Sequence, residues 1–396
     1  MALGIYISVP FCRTKCSYCN FASDVFSRTV FERYVDRVCA DIAAAPQTAR
    51  DVAGRIEREV DSIYLGGGTP TVLEAAQLRR MFDAVKNEFS VFPDAGITVE
   101  CAPGTLTPEV LEGLLRCGVN RVSLGVQSFV DREAAAVGRL HKRTTVVDDV
   151  TRLRAAGISN INIDLIAGLP HQTAESWNES LTDTIAAGVP HVSVYMLEVD
   201  DDSRLGRELI AGGTRYHAHF VPDDAATADF YVTACERLEA AGIKQYEISN
   251  FARAGFESRH NLKYWTRQPY LGFGVDAHSM LIRSENERDA VRFSAPDVLE
   301  KYVAGSAFER TLVSSTGALE ETFFLGLRLN RGVNLKEVSA AFGEEVLRGA
   351  YMAIEDLVSD GLLQRYCDSI RLTARGRLFS NEVFERFLAM DECTRP

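Results

Sequence analysis

Short apolar runs alternate with longer helical stretches along the first half of the chain. Six runs rich in β-branched residues predict strands, at 4–8, 61–65, 97–101, 121–126, 160–166 and 191–197. Five stretches between them predict helices, at 30–45, 73–89, 108–117, 144–156 and 174–187. Repeated strand–helix units with continuously apolar strands are typical of a parallel sheet covered by helices. We therefore expect an α/β fold, built either as a partial or full barrel or as a doubly wound sheet.

Residues suited to chemistry fall where these predicted strands end. A cysteine loop follows the first strand, the turn Gly-Gly-Gly-Thr-Pro at 66–70 follows the second, and Glu100 ends the third. Gln127 follows the fourth strand, and Asp164 lies in the fifth. The carboxyl ends of the strands in an α/β barrel face one cavity, where the chemistry of such proteins gathers. This placement favours the barrel.

Cys12, Cys16 and Cys19 are the most specific chemical signal in the chain. Cysteine thiolates close together in one loop hold iron–sulfur clusters. Three of them on a cubic four-iron cluster leave one iron open to a small molecule, as an open position does in a catalytic metal site. Zinc is the rival, but the other cysteines are isolated and the first histidine is His141. A disulfide framework is disfavoured in a chain of this length.

Composition and charge narrow the class of protein. The chain has 396 residues, of which 46% are hydrophobic and 25% charged, as in a soluble globular protein. Its net charge of −12 argues against nucleic acid as the main partner. No apolar run is long enough for a membrane span, and the start of the chain predicts a strand rather than a signal peptide. We expect a cytoplasmic protein, because a reducing compartment suits free thiols and a cluster.

Three of the other signals also have ordinary explanations. A triple glycine is common in tight turns, and this one lacks the spacing of a phosphate loop or a dinucleotide turn. Glu100 is either a solvated strand end or a partner for an ammonium group. Asp164, in the apolar run at 161–166, either forms a structural salt bridge or binds ribose hydroxyls together with Gln127.

The assembled motifs resemble the HemN/HemW group, radical S-adenosylmethionine proteins of haem metabolism, over nearly the whole chain. The resemblance rests on Cys12-x3-Cys16-x2-Cys19, the turn at 66–70, Gly-Val-Gln-Ser-Phe at 125–129, Gly-Arg-Leu-His at 138–141 and Asn-Ile-Asp-Leu-Ile-Ala-Gly-Leu-Pro at 162–170. In this superfamily the open iron of a [4Fe-4S] cluster chelates the amino and carboxylate groups of S-adenosyl-L-methionine. The resemblance therefore implies a partial (β/α)6 radical-SAM barrel.

The resemblance also implies a role for each matching residue. Cys12, Cys16 and Cys19 are the expected metal ligands. The expected cofactor-binding residues are Gly67, Gly68, Thr69 and Glu100 for the methionyl end, Gln127 and Asp164 for the ribose, Arg139 for the carboxylate, and Tyr6 and Tyr18 for packing around the cofactor.

Three features separate the oxidases and the chaperones of this group. The oxygen-independent coproporphyrinogen III oxidases carry a fourth cysteine where this chain has Phe21, and a long extension where only eleven residues precede Cys12. The string at 260–265 instead resembles the HNxxYW motif of HemW-type haem chaperones, which makes His260, Asn261, Tyr264 and Trp265 the candidate haem-binding residues. Histidine is a common haem ligand, and flat aromatic rings stack on a macrocycle. The alternative is that His260 is a structural histidine and the aromatic residues belong to the core.

The chain changes character after residue 305. Predicted helices at 335–342, 345–360 and 376–388, with a hairpin at 362–372, indicate a winged-helix-like C-terminal domain that resembles that of the family. From Thr316 onward there are ten basic and thirteen acidic residues, which favours an interaction or lid role over DNA binding. We expect three domains, a barrel core at 1–215, an extension with the HNxxYW motif at 216–305 and the C-terminal domain at 306–396.

The resulting hypothesis is a haem chaperone that binds a [4Fe-4S] cluster, S-adenosyl-L-methionine and haem, and transfers haem to acceptor proteins. A coproporphyrinogen III oxidase and a haem-cleaving radical enzyme are the alternatives, so enzymatic activity stays open and no catalytic residue is assigned. The expected partners are haem and haem-accepting proteins, with peripheral contact to membrane haem proteins, and no nucleic acid.

Overall fold

The structure is a computed structural model that describes residues 1–283 and 288–388. Its strands are β1 (Leu3–Val9), β2 (Glu59–Gly67), β3 (Ser90–Cys101), β4 (Arg121–Gln127), β5 (Asn160–Ala167), β6 (His191–Met196), β7 (Lys244–Glu247), β8 (Asn250–Ala252), β9 (Tyr270–Phe273), β10 (His278–Ile282), β11 (Ala290–Ser294), β12 (Glu309–Val313), β13 (Val333–Asn334), β14 (Leu363–Tyr366) and β15 (Ser369–Leu372).

The helices are α1 (Thr29–Asp51), α2 (Ala75–Glu88), α3 (Pro108–Cys117), α4 (Asp131–Ala136), α5 (Arg143–Ala155), α6 (Ala174–Ala186), α7 (Arg204–Ala211), α8 (Asp224–Ala240), α9 (Arg259–Trp265), α10 (Leu299–Ala304), α11 (Ser315–Gly326), α12 (Leu335–Phe342), α13 (Leu347–Ser359), α14 (Ala374–Leu378) and α15 (Ser380–Leu388). None of those in the described part of the chain is long and apolar enough to cross a lipid bilayer.

The order of the strands decides between the barrel and the doubly wound sheet. Strands β1 to β6 are parallel neighbours in sequence order. Because strand–helix–strand crossovers are right-handed, an unreversed order puts the crossover helices on one face of the sheet. A doubly wound sheet would reverse its order. The α/β barrel is confirmed, and it is partial, because β12 and β7 end the described sheet without pairing with each other.

The two faces of the six barrel strands differ in chemistry. In β5, Ile161, Ile163 and Leu165 are completely buried in the main hydrophobic core, which α1, α2, α3, α5, α6 and α8 also build. Asn162 and Asp164 alternate with them and therefore point to the opposite, inner face. The same alternation gives the inner face Tyr6, Tyr64, Glu100, Ser123 and Ser193. The interior of this barrel is polar, as a site for a polar cofactor requires.

Later segments widen the sheet on both sides. On one side β8 pairs with β6 and β7 with β8, both antiparallel. On the other side β9 lies parallel to β1, and β10, β11 and β12 follow antiparallel. Between these additions, α9 packs against the amino-terminal halves of β1 and β2, where a Cβ on Gly4 would lie 3.3 Å from His260 Cε1.

The C-terminal region has its own three-stranded sheet and core. Strand β15 pairs with β13 and β14, and α11 to α15 pack around the sheet. Phe323 and Phe387 stack in this core with ring centroids 4.7 Å apart. Ile248, from the turn between β7 and β8, is buried in the same core and ties this region to the barrel.

Candidate functional site

The cysteine loop after β1 is fastened to the glycine turn after β2. Gly68 N–H donates to Val9 O at 2.9 Å, and Thr69 N–H donates to Phe11 O at 2.8 Å. A Cβ on Gly68 would lie 2.6 Å from Val9 O, so only glycine allows this approach. The contact brings Thr69 Oγ1 to 3.8 Å from Cys12 Sγ, where its hydroxyl donates to the sulfur.

The three thiols of the loop act on one another electrostatically. Burial, together with the neighbouring Cys19 and Cys16 thiols, raises the pKa of Cys12. Cys19 Sγ lies 3.8 Å from Ser23 Oγ. Among the described residues no three histidine, cysteine or acidic side chains are placed to hold a single metal ion. Thiolates on a cubic cluster each bind a different iron, and the three free thiols of one short loop are the donor set that such a cluster uses.

Glu100 is an enclosed carboxylate on the inner face of β3. It accepts hydrogen bonds from Tyr64 Oη at 2.8 Å and from Gly67 N–H at 3.2 Å. Burial and the neighbouring charge of Asp164 raise the pKa of Glu100 to about 7, although the two hydrogen bonds and Arg121 oppose the shift. Such a carboxylate lacks a full positive partner, and an ammonium group would supply one.

Asp164 is held by hydrogen bonds rather than by an ion pair. It accepts from Ser123 Oγ at 3.0 Å and from Asn162 Nδ2 at 2.7 Å. Burial raises its pKa in spite of these bonds. Of the two explanations that the sequence left open, the structural salt bridge finds no support among the described residues, where Arg121 acts on Asp164 through its charge but makes no close ion pair with it.

Gln127 and Arg139 meet near the end of β4. Gln127 has a left-handed backbone, with φ of 69°, at an irregularity in the pairing of β4 with β5. Its Oε1 is shielded from solvent and has no hydrogen-bond partner among the described residues. A Cβ on Gly125 would lie 3.2 Å from Gln127 Nε2 and 3.3 Å from Arg139 Nη2. A buried amide oxygen without a partner, on a residue with a strained backbone, is typical of a residue that accepts a hydrogen bond from a ligand.

Arg139 connects this strand end with the cysteine loop. Its Nη2 donates to Tyr18 Oη at 3.0 Å. Burial opposes its charge, but Tyr18 and the Cys16 and Cys12 thiols raise its pKa above the ordinary value. Tyr18 itself packs against the small apolar cluster of Val137, Ile166 and Leu169. The predicted residues for the cluster, the ribose and the carboxylate are thus brought together at one end of the barrel.

Beside this region lies a cavity of about 410 Å³, which we name the aromatic cavity. Its lining includes Tyr6, Phe21, Gly67, Tyr264, Trp265, Tyr270, His278, Met280 and Arg292. It therefore connects Tyr6 and Gly67, two of the predicted cofactor-binding residues, with two of the HNxxYW residues. Phe21 borders this cavity with 63% of its surface exposed.

His260 lies in the barrel interior with both ring nitrogens engaged. Its Nδ1 lies 3.1 Å from Ser62 Oγ, and its Nε2 lies 2.8 Å from Tyr264 Oη. Burial and Lys263 lower its pKa to about 3, so the ring is neutral at pH 7. In this arrangement His260 orients the Tyr264 ring, which borders the aromatic cavity.

The other two HNxxYW residues have different surroundings. Asn261 lies in the first turn of α9, where its backbone N–H donates to the N-cap residue Ser258. Trp265 borders the aromatic cavity, and the Arg328 guanidinium lies 4.3 Å above its ring. Tyr264 meets Tyr270 edge to face, with ring centroids 4.6 Å apart.

Sequence reasoning missed the contribution of the added strands to this cavity. His278 and Met280 lie two residues apart on β10 and both border the cavity. The His278 side chain is 67% exposed, and its Nε2 lies 3.6 Å from Asp276 Oδ1. No motif marks these residues, and only their alternation on one strand, on the same face, could have suggested a pair.

A barrel of this topology, with a three-cysteine loop fastened to a glycine turn, defines a radical S-adenosylmethionine protein. The family model described as the Radical SAM superfamily matches residues 6–184, and that of the HemN C-terminal domain matches residues 313–379. The family implies a [4Fe-4S] cluster and S-adenosylmethionine as its cofactors. The orphaned Gln127 oxygen, the enclosed Glu100 and the three free thiols of the cysteine loop fit those groups.

Full-length relatives narrow the class further. The protein named Heme chaperone HemW from Bacillus subtilis is 34% identical over 97% of this chain and 98% of its own length. Its namesake from Escherichia coli is 31% identical, over 98% of each chain. The chain therefore belongs to the HemW family. The solved structure of coproporphyrinogen III oxidase (HemN) from Escherichia coli has the same fold, with a TM-score of 0.82 and 24% identity over 98% of this chain and 90% of that one.

Proposed function

We propose that this protein is a haem chaperone, which binds haem beside a cluster and S-adenosylmethionine site and hands it to acceptor proteins. Relatives that share the full length of the chain bear the name Heme chaperone HemW. The observation that carries the proposal is the aromatic cavity, because one apolar space adjoins both the cofactor residues and the HNxxYW residues. A flat macrocycle needs such a space with aromatic walls.

The cofactor residues have defined roles in this proposal. Cys12, Cys16 and Cys19 hold the cluster, and the bound cofactors would supply reducing and radical chemistry. Gly67, Gly68, Thr69 and Glu100 receive the methionyl ammonium, and Arg139 receives the carboxylate. Gln127 and Asp164 receive the ribose hydroxyls, and Tyr6 and Tyr18 close the sides. The enclosed charge of Glu100 and the unpaired oxygen of Gln127 support this distribution.

The haem-binding residues act in two different ways. Tyr264 and Trp265 form the wall on which the macrocycle packs, and His260 and Asn261 support the wall through α9. His260 was predicted to ligate or position haem, and its two engaged nitrogens favour positioning. The exposed His278 is the histidine whose ring borders the cavity, so we propose it as the residue that reaches the iron.

A haem titration of cluster-loaded protein tests these roles. Trp265→Ala should weaken binding without changing the type of spectrum, because it removes an aromatic wall and no iron ligand. His278→Ala should shift the Soret band, whereas His260→Ala should lower affinity and leave the band in place. A Soret shift in His260→Ala and none in His278→Ala would return the ligand role to His260. Titrations identical to wild type in all three variants would contradict the haem site.

The same proposal includes the location of the protein and its partners. We expect it in the cytoplasm, where its acceptors would include membrane haem proteins that it contacts peripherally. The eight cysteines of the described chain are all free, which suits a reducing compartment. The oxidase remains the second candidate because the HemN structure shares the fold. Phe21 in the place of the oxidases' fourth cysteine weighs against that candidate.

A further inference from the structure

A second cavity, of about 610 Å³, lies between the end of α9 and the C-terminal region. Its lining includes Trp265, Arg267, Leu329, Arg331, Glu337 and Phe342. We name it the interdomain cavity. Trp265 borders both this cavity and the aromatic cavity, so one indole ring separates two spaces of similar size. The cofactor and haem roles proposed above leave the interdomain cavity without a ligand.

Three hydrogen-bond donors on or next to the Trp265 side chain have no partner among the described residues. They are Trp265 Nε1, Arg267 Nη2 and Arg328 Nε, and all three atoms are shielded from solvent. The Arg267 side chain is only 9% exposed. Buried donors are rarely left unpaired, because each loses its bonds to water without replacement. Two of the three residues, Trp265 and Arg267, border the interdomain cavity, and because their unpaired atoms can only donate they point to an acceptor that belongs there.

The excess of positive charge around Trp265 favours an anionic acceptor. Arg267 and Arg292 both bind the same carboxylate, Glu321, at 2.7 Å and 2.9 Å, and they line the interdomain and aromatic cavities respectively. Arg328 faces Glu247 at 3.9 Å. The guanidinium groups of Arg267, Arg292 and Arg328 therefore share only two carboxylates. On the rim of the cavity, the exposed Arg331 and Glu337 carry opposite charges that balance each other. A guanidinium fork with a free arm matches one oxygen of a carboxylate.

We propose that the interdomain cavity binds a carboxylate group carried on an apolar body, held by Trp265, Arg267 and Arg331. Leu329 and Phe342 supply the apolar contact. The carboxylate comes either from a porphyrin side chain that reaches past Trp265 or from a free organic acid. In its porphyrin form this inference rests on the proposed haem function, whereas in its free-acid form it stands alone.

The test compares haem with its dimethyl ester, which keeps the macrocycle but loses both negative charges. On cluster-loaded protein, absorbance titration should give haem an affinity at least about ten-fold above that of the ester. Trp265→Phe removes the indole donor and keeps an aromatic wall, and Arg331→Gln removes the rim charge. Both variants should reduce the preference for haem over its dimethyl ester several-fold. Arg116→Gln, an exposed arginine on the outer helix α3, is the matched control and should keep it.

Calorimetry with benzoate forms the second arm. If haem and ester bind equally but benzoate binds to wild type and is lost in Trp265→Phe and Arg331→Gln, the cavity takes a free acid and the inference holds in that form. Equal binding of haem and ester with no benzoate binding overturns it, as does a preference that neither variant reduces. If no porphyrin binds at all, the haem proposal fails, and the benzoate result alone decides this one.

Discussion

Glu100 carries a charge that depends on what occupies the site. Its pKa of about 7 in the ligand-free protein lies above its ordinary value, because burial and Asp164 disfavour the carboxylate. Folding therefore favours the protonated form, and this contribution to stability is complete below about pH 4.5 and is lost as the pH rises through about 7. A cationic ligand reverses the preference, since it binds the ionised form.

The first prediction is a pH dependence of S-adenosylmethionine binding. Affinity should be constant above about pH 7 and should fall by up to about ten-fold per unit below it, because Glu100 must lose its proton before it receives the ammonium. Calorimetry at pH 6, 7 and 8 measures this slope. Glu100→Gln should bind more weakly at pH 8 and show a flat profile. A wild-type profile as flat as that of the variant would remove Glu100 from the ammonium site.

The second prediction concerns Asp164. Asp164→Asn keeps the size of the side chain but removes the charge that accepts from ribose hydroxyls, so binding should weaken by about ten-fold. S-adenosylhomocysteine shares the ribose and should be affected to the same degree. Equilibrium binding of both ligands to wild type and variant provides the comparison. A loss confined to one of them would mean that Asp164 contacts another part of the cofactor.

At the scale of elements, the stability of α9 depends on the capping of its first turn. Ser258 Oγ accepts from Asn261 N–H and caps the helix that carries the HNxxYW residues. Ser258→Ala should cost about 0.5–2 kcal/mol of stability and also weaken haem binding, because the Tyr264–Trp265 wall loses its support. Thr107→Ala is the control, since Thr107 caps the outer helix α3 in the same way. It should lower the melting temperature with no effect on a haem titration. Equal haem affinity in the two variants would contradict the role of α9.

The glycine turn after β2 gives a prediction of stability. Gly67 has φ of +95°, and a Cβ there would lie 2.8 Å from Ser8 Oγ. Gly67→Ala should therefore destabilise the fold by at least about 1–2 kcal/mol. Gly349→Ala, in α13 with open space around its Cβ position, should stabilise by up to about 1 kcal/mol. Thermal melts of the two variants should move in opposite directions, and a shift in the same direction would contradict this view of the turn.

The sequence predicted regular elements well where burial was one-sided or complete. Five of the six barrel strands and α12 agree with their predicted ranges to within two residues, because apolar runs mark them directly. Strand β3 is the exception, since it begins at Ser90 rather than at 97. Helix α1 continues past the predicted end at 45 to Asp51, with Pro46 inside it, because Ala45 and Ala49 are buried against the core and offset the lost hydrogen bond. The single predicted helix at 376–388 is two, α14 and α15, separated at Phe379.

The site was predictable only in the parts that are local in sequence. The cysteine loop and the turn at 66–70 are contiguous motifs. Strands β9 to β11, by contrast, are short, and β9 joins them to β1, which is distant in sequence, so His278, Met280 and Arg292 could not be connected with the cavity. The polar inner face also escaped notice, because the apolar outer face dominates each strand. The two boundaries between the three domains remain predictions.

At the scale of the whole molecule, the cluster should be separable from the fold. Cys16→Ser removes one of three thiolates at a partly exposed position and keeps nearly the same side-chain size, so the variant should fold. Wild type reconstituted without oxygen should hold about four irons per chain, and the variant should hold no stable cluster. Metal analysis measures the iron content, and circular dichroism shows whether the variant is folded. One tightly bound zinc in wild type would contradict the cluster.

The most direct test of the account separates a haem chaperone from an oxidase in one anaerobic reaction. Cluster-loaded protein is incubated with reductant and S-adenosylmethionine, and with either haem or coproporphyrinogen III, and the tetrapyrroles are then extracted and identified. We expect bound haem to be recovered unchanged and coproporphyrinogen III to remain unconsumed. Formation of protoporphyrinogen IX, or opening of the haem ring, would contradict the chaperone function.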